Sequence, residues 1–235
     1  MEGKDILSIQ NVACETLGTL DQLLSSDGYA IENILAGEDS VPVDAFGYRA
    51  VIILGGPMAV YDRLDTIERE MTLVRSAVKQ YIPVLGVCLG SQIIAQSMGG
   101  RVYKGVKKEI GWGAVTITEQ GQAGLFRGMG DSLGVFHWHG DTFDLPPGSR
   151  ILARSDHYVQ AFQLSSAVGI QFHLEVSPDM IRRWAHEYRG EVYSEGIGEE
   201  YLLGSPLLAD QLSRSCRAFY ENFATDFLRM DSRAR

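Results

Sequence analysis

Two short runs constrain this chain most: Ala50-Val51-Ile52-Ile53-Leu54 and Val84-Leu85-Gly86-Val87 are apolar at every position. A half-exposed strand alternates polar and apolar residues, so strands like these must be covered on both faces, as in the middle of a parallel sheet. The first ends in Gly55-Gly56-Pro57 and the second in Cys88-Leu89-Gly90, so each delivers a loop at the C-terminal edge of the sheet. Helical patterns separate them. Leu17, Leu20, Leu23 and Leu24 recur at helical spacing until Gly28, between a first strand at Ile6 to Val12 and a second near Ala30 to Leu35. Asp65 with Glu68 reads as a capping-box start for a helix running to about Gln80, which Pro83 ends. Leu89 to Gly100 reads as another helix with closing glycines.

This alternation predicts an α/β fold of three layers, α/β/α, on a mostly parallel central sheet. From Ala114 to Gln171 the texture changes to short β-like runs at Ala114–Thr118, Val135–His137, Ile151–Ala153, Val159–Phe162 and Val168–Phe172, broken by turn residues. These either extend the sheet or form a small additional β element beside it. The tail is helical from Pro178, with a Gly- and Glu-rich loop around Gly196 to Gly204. No compositional seam divides the 235 residues, so one domain over 1–235 is expected.

Charge and cysteine usage exclude several classes. A balance of 21 Lys+Arg against 30 Asp+Glu gives a net charge of -9, which argues against nucleic acid as a partner. No apolar run approaches the roughly 18 residues of a membrane span, and the first residues lack a basic start and a cleavage site. Cys14, Cys88 and Cys216 are far apart with no C-x-x-C pair, which suits a reducing compartment, and a cytoplasmic protein is expected.

Gly86-Val87-Cys88-Leu89-Gly90 has the layout of a nucleophile elbow with sulfur in place of oxygen: glycines two residues either side of the reactive atom, between strand and helix. The glycines are expected to allow a sharp turn, and the positive end of the following helix favours a thiolate. Cys88 is therefore expected to be more reactive than Cys14 or Cys216. A nucleophile needs a base, and Gln171-Phe172-His173-Leu174-Glu175 ends a predicted strand with an imidazole and, two residues on, a carboxylate on the same side to orient it. Backbone donors for a tetrahedral oxyanion are available at Leu89 and in Gly55-Gly56-Pro57, each worth roughly 3 kcal/mol in a transition state.

Taken together, Gly55-Gly56-Pro57, Gly86-Val87-Cys88-Leu89-Gly90-Ser91-Gln92, His139-Gly140-Asp141 and Gln171-Phe172-His173-Leu174-Glu175, in that order, resemble the motif set of class I glutamine amidotransferases. Their spacing is most similar to the glutaminase domain of GMP synthase, over roughly residues 45 to 180. The resemblance implies the flavodoxin-like fold of that family, with Cys88 as nucleophile, His173 as base and Glu175 orienting it. It also implies an oxyanion hole from Gly56 and Leu89, with Gly55 beside it, and substrate contacts from Gln92 and from the segment at Trp138 and His139. Glutamine is the implied substrate, no cofactor is needed, and the ammonia released goes to an ATP-dependent synthetase subunit, because this chain holds no phosphate-binding G-x-x-x-x-G-K-[ST] loop.

Two positions depart from the family pattern. Leu174 stands where a proline is usual between the histidine and glutamate, and His137-Trp138 stands where a Met-Ser pair is common. A second reading keeps the triad but takes γ-glutamyl peptides, whose amide carbonyl is the same. A third takes His137, His139 and Asp141, with Asp156 or His157, as metal ligands; too few ligands lie close in the sequence, and no metal is assigned. A catalytically silent regulatory subunit is disfavoured because all three triad candidates are present. His186 and the Lys104, Lys107 and Lys108 cluster read as solvated, and Trp112 and Trp184 as packing residues.

Overall fold

The computed structural model describes residues 5–229; the expectation that the first four residues carry no leader lies outside them. Nine strands form one sheet among the described residues: β1 (Ile6–Gln10), β2 (Ile31–Leu35), β3 (Ala50–Ile53), β4 (Val84–Val87), β5 (Arg101–Ile117), β6 (Ser132–Asp144), β7 (Arg150–Arg154), β8 (Val159–Leu164) and β9 (Ala167–Ile170). Their order is β2-β1-β3-β4-β9-β8-β7-β5-β6. The pairings from β2 to β9 are parallel, and those from β9 through β8, β7 and β5 to β6 are antiparallel. The later strands thus extend the main sheet, and half of it is antiparallel.

The helices are α1 (Thr19–Ser26), α2 (Asp65–Lys79), α3 (Leu89–Ser97), α4 (Glu119–Gln122), α5 (Pro178–Glu187), α6 (Arg189–Ser194), α7 (Glu199–Leu203) and α8 (Pro206–Phe223). Two apolar cores flank the parallel strands because each strand sends alternate residues to opposite sides. Ala50 and Ile52 of β3 face a core with Leu20, Leu24, Trp184 and Phe219 of α1, α5 and α8. Val51 and Ile53 face the other, with Leu73, Val74, Ile93 and Ile94 of α2 and α3. The three layers expected from the two apolar runs follow directly.

Three local expectations change. Leu64, not Asp65, caps α2, with no side-chain cap bond; Asp65 and Glu68 sit in the first turn, where their charge favours the helix N-terminus. The Gly196–Gly204 stretch contains α7, pinned where the Trp112 Nε1 donates to the Leu202 carbonyl at 2.9 Å. β5 and β6 are 17 and 13 residues long, far beyond the fragments legible in the sequence. The run Lys104 to Lys108 carries little apolar signal; the β5–β6 register breaks between Lys104 and Glu109, and this irregular stretch is held by the Tyr158 hydroxyl, which accepts from Lys107 N and donates to its carbonyl.

Among the described residues no helix is long and apolar enough to cross a membrane.

Candidate active site

The parallel strands β3, β4 and β9 end side by side, and their loops converge. The Cys88 amide still donates to the Ile170 carbonyl at 2.8 Å, so the β4–β9 ladder runs right up to the thiol. Cys88 then turns at φ 51°, ψ -108°, a left-handed geometry that β-carbon sterics disfavour, and α3 starts at the next residue. The flanking glycines serve a different purpose from the one expected. Neither Gly86 nor Gly90 has positive φ. A β-carbon on Gly86 would strike the Gly90 backbone, and one on Gly90 would strike the Ile53 carbonyl. They are small so that α3 can press onto β4 and β3, and the strain falls on Cys88 itself.

His173 and Glu175 follow β9. The His173 backbone is bridged to β6, donating to Phe136 O at 2.8 Å. Glu175 is fixed from the other side, its carbonyl accepting from Thr19 N at the start of α1 at 2.8 Å. Between these clamps His173 Nδ1 donates to Glu175 Oε1 at 2.7 Å, with both side chains almost fully buried, and the second carboxylate oxygen accepts from Leu174 N at 3.0 Å. Burial by itself would lower the His173 pKa. The Glu175 charge and hydrogen bonds to Cys88 and Glu175 outweigh it and hold the imidazole well above its ordinary range. Trp184 packs edge-on against the imidazole with ring centres 4.8 Å apart, and its Nε1 donates to the Cys14 carbonyl.

With Glu175 buried behind the imidazole, Cys88 and His173 line a cleft of about 250 Å³. Gly56, Gln92, Trp138 and His139 also line it. Gly55 and Leu89 lie just behind. A side chain on Gly55 would collide with the Glu15 carboxylate, while one on Gly56 would crowd Asn11 and Leu89. Gln92 works through a neighbour: its Nε2 donates to Gln171 Oε1 at 3.3 Å, and Gln171 Nε2 in turn points at Cys88 Sγ at 3.7 Å. The Trp138 carbonyl faces the Cys88 thiol at 3.6 Å, and its indole Nε1 donates to Glu191 at 3.0 Å. The His139 ring is buried and its nitrogens face Glu109 and the Asp141 carbonyl.

Several cleft residues carry no signal in the sequence. Glu15 reaches in from the loop after β1 and accepts from the Tyr188 hydroxyl at 2.7 Å. Burial pushes its carboxyl upward, against the pull of His173 and Tyr188. Lys104 and Lys108, read as solvated, line the cleft, and Lys108 bridges Glu191 at 2.6 Å and Glu195 at 3.0 Å. Trp184 is a packing residue and a cleft wall at once. Glu15, Tyr188 and Glu191 form no local pattern that would flag them. Cys14 and Cys216 are free thiols that burial pushes upward, and His186 is exposed.

A sequence profile described as glutamine amidotransferase class-I matches residues 22–183. The chain belongs to the class I glutamine amidotransferase family. It is 30% identical to the glutamine amidotransferase-like protein YfeJ of Salmonella typhimurium over 71% of this chain and 74% of that one. It is 38% identical to a subunit of the glutamine-hydrolysing GMP synthase of Sulfolobus acidocaldarius, over 55% of this chain and 68% of that subunit. Against the GMP synthase of Thermomicrobium roseum the match spans 24% of that longer protein. Crystal structures of glutamine amidotransferases from Thermotoga maritima (TM-score 0.86, 32% identity, 95% of this chain and 99% of that one) and Methylobacillus flagellatus (0.89, 28%, 98% of each) share the fold.

Proposed function

We propose that this class I amidotransferase hydrolyses the side-chain amide of glutamine through a cysteinyl thioester, with Cys88 as nucleophile, His173 as general base and acid, and Glu175 as its orienting partner. The observation that carries this reading is the chain of contacts from Cys88 to His173 to Glu175, buried at the sheet edge with the imidazole held toward its charged form. The Cys88 sulfur attacks the amide carbon, and the carbonyl oxygen becomes an oxyanion at the backbone N–H groups of Gly56 and Leu89. The imidazolium gives its proton to the leaving nitrogen, the C–N bond breaks, and ammonia departs from the thioester. Water, deprotonated by His173, then cleaves the C–S bond to give glutamate and the free thiol. Gln92, with Gln171, borders the acyl group.

The ammonia is passed to an ATP-dependent synthetase subunit, a partner class supported by the likeness to the GMP synthase subunit of Sulfolobus acidocaldarius. The working location is the cytoplasm, consistent with three free cysteines. Residues 1–235 act as a single glutaminase domain.

A glutamine-mimicking electrophile should add one mass equivalent to Cys88 and none to Cys14 or Cys216, whose thiols burial holds protonated. Cys88→Ser should abolish both labelling and ammonia release. Substantial turnover by that variant overturns the assignment, and faster release from a γ-glutamyl dipeptide than from glutamine moves the substrate to γ-glutamyl conjugates.

A further inference from the structure

On the β5–β6 ladder, Glu109 lies directly opposite His139, and His137, two residues earlier on β6, points to the same face. Glu109 Oε2 is 3.0 Å from His139 Nε2 and 4.0 Å from His137 Nδ1, and the three ligand atoms all lie within 4.8 Å of one another. The side chains of His137 and His139 are 6% and 1% exposed.

Hydrogen bonding makes this cluster unusual. His139 Nδ1 faces the Asp141 carbonyl at 3.1 Å, and a carbonyl only accepts, so that nitrogen carries the proton. The lone pair of a neutral ring then sits on Nε2, aimed at a carboxylate oxygen that is also an acceptor. Two lone pairs at 3.0 Å repel unless a proton or a cation lies between them. A histidine whose second nitrogen donates to a backbone carbonyl is the arrangement that orients metal-bound imidazoles. His137 Nδ1 is buried and has no hydrogen-bond partner among the described residues. Gln160 Nε2 donates to the same Glu109 oxygen at 2.5 Å and holds the carboxylate in place.

We propose that Glu109, His137 and His139 form a binding site for a divalent transition-metal ion, zinc or one of its borderline neighbours. Two imidazoles and one carboxylate match that class rather than magnesium or calcium, which prefer all-oxygen shells. Bonds of about 2.0–2.2 Å place tetrahedral ligands roughly 3.3–3.6 Å apart, so the 3.0 Å pair must open slightly, and the other ligand atoms, one pair at 4.0 Å and all within 4.8 Å, reach that spacing by side-chain rotation. Glu109 and His137 border a second cavity of about 580 Å³, open to solvent, together with Ser155, Asp156 and His157, which gives the ion a way in and leaves room for water ligands. The ligand set leaves out the thiol, although His139 also borders the Cys88 cleft: Trp138, between the two histidines, presents its carbonyl to Cys88 while their rings gather at Glu109. An ion here would fix the strand segment that contacts both Cys88 and the backbone of His173. The ligand that the sequence lacked, Glu109, comes from the neighbouring strand.

The test uses the full chain stripped with a chelator and titrated with zinc chloride by calorimetry, with cobalt(II) as an optical probe. One equivalent of zinc should bind saturably, and the cobalt complex should show d–d bands of a nitrogen- and oxygen-ligated ion without a thiolate charge-transfer band. His137→Leu, which keeps the buried volume, should weaken binding at least about tenfold, and Glu109→Gln should do the same. Cys88→Ser should bind as the parent does, which separates this result from the fate of the glutaminase reading. Absence of saturable binding to the folded parent chain, parent-like affinity in folded His137→Leu, or loss of binding in Cys88→Ser each overturns the proposal.

Discussion

The parallel and antiparallel halves of the sheet build opposite walls of one cleft by different means. From β2 to β9 the positions of reactive atoms are dictated by backbone: a ladder bond to Cys88 N, glycines that let α3 lie against β3 and β4, and a histidine clamped between β6 and α1. From β8 to β6 the wall is made of long side chains, with Trp138, Lys108 and Glu191 joined to one another across the chain. The first half tolerates almost no change of volume, and the second is adjustable.

The largest expected effect tests the rigid half. His173→Ala should lower kcat for glutamine hydrolysis by about 10⁴-fold or more, read as ammonia release at saturating glutamine. A loss of less than about tenfold would mean that the clamped imidazole is not the base.

Next is the support beneath the glycine loop. Asn11 donates to the Leu54 carbonyl at 3.2 Å and to Glu70 at 3.4 Å, and Glu70 is fully buried in α2. Burial pushes the Glu70 carboxyl from 4.5 up to about 8, with Asn11 pulling the other way. Because the folded value is raised, the folded chain holds the proton more tightly than the unfolded one. This stabilisation is complete below about pH 4.5 and is lost progressively as pH rises through about 8. Over that window the loss is on the order of 5 kcal/mol. Urea melts across it should show Glu70→Gln removing most of this slope relative to the parent, whatever other groups contribute.

Gly90→Ala should cost about 3 kcal/mol in the same melts, since the added methyl meets the Ile53 carbonyl and only backbone movement relieves it. In the adjustable half the comparable probe is gentler. Trp138→Phe keeps the packing against Trp184 and Tyr188 but removes the bond to Glu191. Glu191 is about one-third exposed, so the bond is worth about 1 kcal/mol or less. The expected result is a KM rise of up to about fivefold with kcat nearly unchanged.

The same division explains what was legible in the sequence. Ala50–Leu54, Val84–Val87 and the elbow at Cys88 encode their positions locally, because a strand buried on both faces and a tight strand–helix junction each demand a specific short pattern. His173 and Glu175 were legible for the same reason. The long β5–β6 hairpin was not, since its pairing register breaks between Lys104 and Glu109 and that stretch is held by Tyr158, a residue some fifty positions away. Glu15, Tyr188 and Glu191 gain meaning only when β1, α5 and α6 meet over the thiol, and no local spacing records that meeting. The glycines of the elbow were recognised for the wrong reason: conformational freedom was expected, and close approach is what they provide.

Close approach can be separated from flexibility by the smallest of the expected effects. Gly134 lies on β6 opposite Ala114, exposed, and a β-carbon there meets nothing within 4 Å. Glycine inside a strand carries an entropic cost of roughly 0.5–1 kcal/mol relative to alanine, so Gly134→Ala should stabilise the chain by about 0.5 kcal/mol. The identical change at Gly90 should destabilise it severalfold more strongly. Neither glycine has positive φ, so backbone preference alone predicts the same sign at both. Opposite signs in urea melts of the two variants would isolate helix-to-sheet contact as the property that glycine supplies at the elbow, and equal signs would return the role to chain flexibility.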